Sequence, residues 1–292
     1  MSETPLVLSI QSHVTYGHVG NSAAALPLQL LGVQPVLIHT VQFSNHTGYG
    51  EFKGQVFRAD HIKDVIDGLR ARGVLQRCQA VLSGYLGDAA IGEVILGTVQ
   101  EIRRQRPDLL YLCDPVMGDV GRGIFVRPGI PEFLSHRALS QASLITPNQY
   151  EFELLCDRPV SSVSDAAAAA QALLQTADKP ELKAVVITSL RTPDLPIDSL
   201  GTLAVAAGQA WLMRTPYLNL EPLPNGMGDI FSAILLGRLL TGNPLRQALA
   251  SAVSALFGLL ERTPNGSRDL PLIAAQSQIL HPDRLFITEQ VN

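Results

Sequence analysis

Leu6-Val7-Leu8-Ser9-Ile10-Gln11-Ser12-His13 is an apolar run of strand length that ends abruptly in polar residues. A segment of helical period, Asn21 to Leu31, follows it, and a second apolar run, Val36 to Val41, follows that. Strand, helix and strand in so short a span is the β-α-β unit of a parallel sheet. The alternation continues outward from it. Ala80 to Ser83, Leu109 to Cys113, Ser143 to Thr146 and Ala184 to Thr188 are further strand candidates. Each is nearly continuous in hydrophobicity, as strands buried on both faces are. Between them, Ile91, Val94, Ile95, Thr98, Val99 and Ile102 fall on one helical stripe, and Ser162-Val163-Ser164-Asp165 ahead of five alanines reads as a helix start. Leu200 to Ala206 and Gln209 to Thr215, separated by Ala207-Gly208, predict a two-stranded hairpin. Asp229 to Leu240 and Pro244 to Leu260 are apolar nearly all round, the pattern of buried helices.

The chain has 292 residues, 46% of them hydrophobic and 16% charged, which is enough for a large, well-covered core. No internal repeat and no Ser-, Gly- or charge-rich linker interrupts it, so residues 1–292 read as a single α/β domain. The 24 Gly and 19 Pro are spread along the chain, which excludes a collagen-like or low-complexity protein. With a net charge of -4 and no basic cluster longer than a pair such as Arg103-Arg104, nucleic acid is not expected as a partner. Cys78, Cys113 and Cys156 have no metal-type spacing and lie in or beside apolar runs, so they read as buried thiols in a reducing compartment. Met1 to Pro5 holds no basic region and no cleavage site follows, so no signal peptide is expected. The longest apolar stretches are broken by Arg238 and Ser254 and fall short of the roughly 18 residues that a membrane span needs. No membrane partner and a cytoplasmic location are therefore expected.

In open α/β sheets the ligand crevice lies beyond the carboxyl ends of the strands. The expected strands run into Gln11-Ser12-His13, Gln42-Phe43-Ser44-Asn45-His46-Thr47, Asp114-Pro115-Val116-Met117-Gly118-Asp119 and Thr146-Pro147-Asn148-Gln149-Tyr150-Glu151. Phe43 to Gly54, Gly118 to Gly129 and Arg191 to Ser199 read as mobile loops on that scaffold. The sharpest local signal is Asn225-Gly226-Met227-Gly228-Asp229, a glycine turn entering an apolar helix. Free N–H groups at such a helix start bind anions, and Asp229 beside them is placed to orient or deprotonate a hydroxyl attacking a phosphoryl group. Taken alone, Asp229 reads more simply as a residue favouring the helix start. Asp114, Asp119 and Glu151 are hard oxygen ligands of the kind that suits hydrated Mg²⁺ with phosphates. Taken singly they too have a structural reading, since Asn148 and Glu151 fit a capping box. No Gly-x-x-x-x-Gly-Lys-Ser/Thr occurs, and Phe231 replaces the last glycine of a dinucleotide fingerprint. The seven His lack zinc spacing, and Ser12 and Cys113 lack a hydrolase context. Phe43 and Tyr85 suit either core packing or stacking on a flat ring.

Taken together and in order, these segments resemble the ribokinase-like superfamily and, within it, the pyridoxal kinases of the PdxY type. The resemblance runs from Gln11-Ser12-His13-Val14-Thr15-Tyr16-Gly17-His18-Val19-Gly20-Asn21 and Thr40 to Thr47, through Leu82-Ser83-Gly84-Tyr85-Leu86-Gly87 and Cys113 to Asp119, to Thr146-Pro147-Asn148-x-x-Glu151 and Gly226-x-Gly228-Asp229. It implies a three-layer α/β fold, a mostly parallel central sheet flanked by helices. It also implies ATP-dependent phosphorylation of the 5'-hydroxymethyl group of pyridoxal. By that likeness Asp229 is the general base, and Gly226, Met227 and Gly228 offer backbone N–H groups to the phosphoryl group. Ser12, Val19, Val41, Phe43, His46, Thr47, Gly48, Tyr85 and Asp229 line the pyridine pocket. Asp114, Asp119 and Glu151 hold Mg²⁺, largely through water. Asp114, Thr146, Asn148, Glu151, Thr188 and Ser189 approach the nucleotide phosphates or K⁺, and Arg214, Thr215, Pro216, Tyr217 and Leu218 lie near the adenine. A homodimer is implied as well.

The chain departs from relatives at three positions of these motifs. Met227 stands where many members have Thr, Thr188 where some bacterial pyridoxal kinases have Lys, and Phe125 where some have a phenol on the flap that residues 118–129 would form. The same fold serves hydroxymethylpyrimidine and sugar kinases. A protein that stores or senses pyridoxal 5'-phosphate without turnover is an alternative of another class, and a nicotinamide-dependent oxidoreductase is disfavoured by the missing fingerprint.

Overall fold

Leu6, Leu8 and Ile10 of the first strand pack into one apolar layer while Val7, between them, packs into another. The period-2 alternation of a strand makes this possible, and it requires helices on both sides of the sheet. In the computed structural model, which describes residues 4–291, the elements follow in the order β1 (Leu6–Tyr16), α1 (Asn21–Leu30), β2 (Gln34–Asn45), β3 (Gly54–Val56), α2 (Ala59–Ala71), β4 (Cys78–Ser83) and α3 (Ala89–Gln105). Then come β5 (Leu110–Cys113), β6 (Gly118–Asp119), β7 (Gly123–Ile124), α4 (Ile130–Phe133), β8 (Leu144–Ile145), α5 (Gln149–Cys156) and α6 (Val163–Leu174). The chain finishes with β9 (Ala184–Leu190), β10 (Ser199–Ala206), β11 (Gln209–Pro216), α7 (Met227–Leu240), α8 (Leu245–Glu261), α9 (Ser277–Leu280) and β12 (Glu289–Val291). Residues 1–3, which carry part of the leader reading, and residue 292 lie outside the described residues.

Among the described residues the main sheet has ten strands in the order β12-β11-β10-β9-β8-β5-β4-β1-β2-β3. Its centre, from β2 to β9, is parallel, and antiparallel strands close both edges. Residues of α2, α3, α5 and α6 cover one face and residues of α1, α7 and α8 the other. This is the expected helix-sheet-helix layering. Helix α7 is buried at every position from Ile230 to Gly237, as its all-round apolar pattern predicts. No helix of the described residues is long and apolar enough to cross a membrane.

The structure departs from the expected pattern where polar residues continue a ladder. β1 runs on to Tyr16 and β2 to Asn45, paired through a register shift between Gln11 and His13. The expected loop Phe43 to Gly54 is therefore the end of β2, a short 3₁₀ turn at Thr47–Tyr49, and the start of β3, which pairs back so that Phe43 faces Gly54. Backbone pairing drives this extension, and apolar periodicity does not register it. Residues 118–129 likewise carry the small β6–β7 hairpin. Cys78 and Cys113 are buried as expected, but Cys156 is only partly so. Burial pushes the Cys113 thiol up to about 12, which removes it as a nucleophile.

Candidate active site

The parallel strands deliver their polar ends to one edge of the sheet, and α7 begins there. Gly226 precedes α7 with a φ of 80°, in the left-handed region, and a Cβ on it would lie 1.9 Å from the His18 carbonyl oxygen. Only glycine lets the helix start approach the β1–α1 connection this closely. Asp229 lies in the first turn of α7 without capping it through its side chain. Burial raises its carboxyl above the ordinary range, against the Gly20 backbone N–H that favours the charged form.

Two cavities meet at this turn. The first, of about 200 Å³, has apolar walls from Val19, Val41, Phe43 and Tyr85 and polar ones from Ser12, His46, Thr47 and Asp229. Every residue expected at the pyridine ring except Gly48 lines it, and Gly48 lies on the neighbouring cleft instead. Phe125, expected on the flap, lines it too, as do Val14, Val116 and Arg122, which were not foreseen. They follow strand or turn signals, but nothing in their residue types distinguishes pocket wall from core. His46 accepts the Gly48 N–H at Nδ1, 3.0 Å away, and so caps the 3₁₀ turn that carries Thr47. Burial and the nearby Arg122 lower its pKa, which keeps that nitrogen free to accept. The Thr40 hydroxyl donates to the Tyr85 carbonyl at 2.7 Å, fixing the loop after β4 against β2.

The second cavity is a cleft of about 630 Å³. Asp114, Asp119, Glu151 and Asp229 bring acid to it, Thr146, Asn148, Thr188 and Ser189 bring neutral polar groups, and the turn Gly226-Met227-Gly228 forms its floor. Asn148 and Glu151 do form the capping box of α5. Within that box Glu151 Oε2 accepts the Asn148 N–H at 3.0 Å, and Oε1 reaches across to the loop after β5, accepting the Met117 N–H at 2.9 Å. Burial nevertheless pushes its carboxyl up to about 7. Asp114 is buried and is raised as well, by burial first and then by the charges of Glu151 and Asp229. Its Oδ2 accepts from the Ser232 hydroxyl at 3.4 Å, and Ser232 in turn meets Thr146 at 2.9 Å. Among the described residues no three His, Cys, Asp or Glu side chains form a ready-made metal cluster, so Asp114, Asp119 and Glu151 share the cleft without converging on one point.

A third, apolar slot of about 100 Å³ opens beside the cleft, lined by Thr188, Ser189, Thr215 and Met227 and by Val253, Leu256, Phe257 and Leu260 of α8. The spacing of those four α8 residues is one helical stripe, which the uniformly apolar sequence of α8 hides. Of the residues expected near a nucleotide base, Thr215 lines the slot. Arg214, one residue earlier, points to the opposite face of the sheet and pairs with Glu289 of β12 at 2.6 Å. Tyr217 lies under the guanidinium of Arg191 at 4.1 Å, and neither Pro216 nor Leu218 lines these cavities.

A flat-ring pocket, a phosphate-sized cleft and an apolar slot joined at a glycine-rich helix start define a small-molecule kinase. The comparisons agree. The Phosphomethylpyrimidine kinase family model matches residues 32–269. The Pyridoxal kinase PdxY of Deinococcus radiodurans is 47% identical over 286 residues, covering 98% of this chain and 96% of that protein. The solved pyridoxal kinase of Leishmania donovani in complex with ADP and pyridoxine superposes with a TM-score of 0.89 at 31% identity, covering 99% of this chain and 100% of that one. The same enzyme in complex with ADP and pyridoxamine gives 0.88 at 31%, with 98% and 99% covered. The chain belongs to the pyridoxal kinase family.

Proposed function

We propose that this chain transfers the γ-phosphoryl group of ATP to the 5'-hydroxymethyl oxygen of pyridoxal, giving pyridoxal 5'-phosphate and ADP. The observation that carries this reading is that Gly226 and Asp229 line both the ring pocket and the cleft. A hydroxyl held in the first then meets a phosphoryl group held in the second beside a single carboxylate. Ser12 and Thr47 would hold the ring's polar substituents and Val19, Phe43 and Tyr85 its faces. Asp229 takes the hydroxyl proton as the oxygen forms its bond to phosphorus. The bond from phosphorus to the bridging oxygen breaks, and ADP leaves with that electron pair. The N–H groups at the start of α7 face the developing charge, and the raised pKa of Asp229 makes it a stronger base than an ordinary carboxylate.

Mg²⁺ fits the acidic end of the cleft, because Asp114 is buried beside other carboxylates and a cation relieves that cost. Asp114, Asp119 and Glu151 would hold it largely through water, where it would neutralise phosphate charge. Thr146, Asn148, Thr188 and Ser189 would serve the nucleotide phosphates or K⁺, and the slot beside α8 and Thr215 would take the adenine. The same reading includes one kinase domain over residues 1–292, a homodimer and a cytoplasmic enzyme.

The test is ADP release with Mg-ATP and K⁺, comparing pyridoxal, pyridoxine, pyridoxamine, hydroxymethylpyrimidine and no acceptor, with the product identified by mass. Pyridoxal should stimulate release and gain one phosphoryl group. Stimulation by hydroxymethylpyrimidine alone would keep the chemistry and overturn the substrate. Tight binding of pyridoxal 5'-phosphate without any turnover would make the protein a reservoir instead.

A further inference from the structure

Both signs of charge line the cleft. Asp114, Asp119 and Glu151 bring the acid, and Arg122, from the turn between β6 and β7, and Arg268, from the segment after α8, are the Arg or Lys side chains among the residues lining the two cavities. Neither makes an ion pair among the described residues, while Arg70, Arg137 and Arg214 each hold a carboxylate at 2.6–2.9 Å. Each is steered by a ring: Arg122 sits over Phe125 at 4.9 Å and Arg268 over Tyr49 at 5.9 Å. Asp269, the carboxylate next to Arg268 in the chain, is bonded to the Tyr49 hydroxyl. Both guanidiniums are close enough to His46 to disfavour its protonation. Two unpaired cations on one cavity repel each other until an anion arrives, and the planar fork of guanidinium matches phosphate oxygens.

We propose that Arg122 and Arg268 form a clamp for the phosphoryl group on the acceptor side, gripping it during transfer and then as the phosphate ester of the product. Arg122 lines the ring pocket as well as the cleft, so it remains beside the group after the group has moved to the acceptor. This assignment rests on the kinase reading and adds two residues to it.

The test is equilibrium titration, without nucleotide, of wild type, Arg122→Ala, Arg268→Ala and Arg122→Lys with pyridoxine and with pyridoxine 5'-phosphate. These probes lack the aldehyde that would react with lysines. Each alanine variant should bind the phosphate ester roughly 10- to 100-fold more weakly, the worth of a hydrogen bond to a charged group, and lose much less affinity for pyridoxine. Arg122→Lys should fall between, because it keeps the charge and loses the fork. Equal loss for both probes, or no loss for either, overturns the clamp. Both arginines are exposed, so folding is not at risk. Failure of the kinase reading has a separate signature, absence of ADP release by wild type with every acceptor.

Discussion

Asp229 combines three properties that no single sequence signal carries: position at a glycine turn, burial that raises its pKa, and access to two cavities. Asp229→Asn keeps the shape and removes the base. Turnover should fall roughly 10²- to 10⁴-fold, the usual worth of an acid-base group, while ADP binding measured by calorimetry stays near wild type. Normal turnover in this variant would sink the base assignment. Because the ionised form is the active one and burial raises its pKa, the acid limb of the kcat/KM profile should lie above the ordinary carboxylate range. Most ring-pocket residues were legible at this scale, because they directly follow strands whose ends the apolar runs mark. Arg122 and Arg268 were not, since an exposed arginine in a loop looks the same whether or not it faces a cleft. Arg214 misled for a related reason: side chains alternate across β11, and a one-residue step separates the slot from the far face.

Helix α7 offers a test at the scale of one element, because glycines stand at both of its ends. Gly226 and Gly242 have φ values of 80° and 88°, but a Cβ on Gly226 meets the His18 carbonyl whereas one on Gly242 meets nothing within 4 Å. Gly242→Ala should cost only the left-handed strain of about 1–2 kcal/mol and leave kcat unchanged. Gly226→Ala adds a collision that displaces the helix start, so it should lower the melting temperature further and cut kcat by tenfold or more, on the order of 1.4 kcal/mol. Equal kinetics in the two variants would show that the approach of α7 to the β1–α1 connection does not position the reaction. The capping box of α5 gives a second test. Asn148→Ala removes the cap and also the Nδ2 bond of 2.9 Å to the Gly118 carbonyl. It should cost about 1 kcal/mol in chemical denaturation and raise the KM for ATP more than that for pyridoxal. Elements of this kind were readable because caps, glycines and apolar periods are local. The polar tails of β1 and β2 and the β2–β3 return were not, because they rest on pairing between distant backbones.

For the whole molecule, opposing titrations set how stability depends on pH. His39 stacks on His13 at 4.1 Å, and burial, with the neighbouring His13, lowers its pKa to about 4; His13 and His46 are lowered by burial as well. Between about 4 and the ordinary 6.5, the unfolded chain binds a proton at His39 that the folded chain does not, so this group makes stability rise with pH. Glu151 acts in the opposite sense. Its folded value of about 7 lies above the ordinary 4.5, so between the two the folded chain keeps a proton that the unfolded chain has released, and stability falls as pH rises. Asp114 and Asp229 are raised and pull the same way. The windows overlap, so the wild-type slope is a partial cancellation and says little alone. Glu151→Gln removes one falling contribution and leaves the histidines in place. Urea unfolding in EDTA should therefore show the variant gaining stability more steeply than wild type between about pH 4.5 and 7. The absolute stability of the variant should be lower near neutrality, because an amide cannot accept all the backbone N–H groups that the carboxylate serves. Parallel curves through the whole range would mean that Glu151 ionises as an ordinary carboxylate. In that case its burial at the cleft is fully offset by the backbone donors of Met117 and Asn148, and the acidic end of the site carries its charge whether or not a cation is bound.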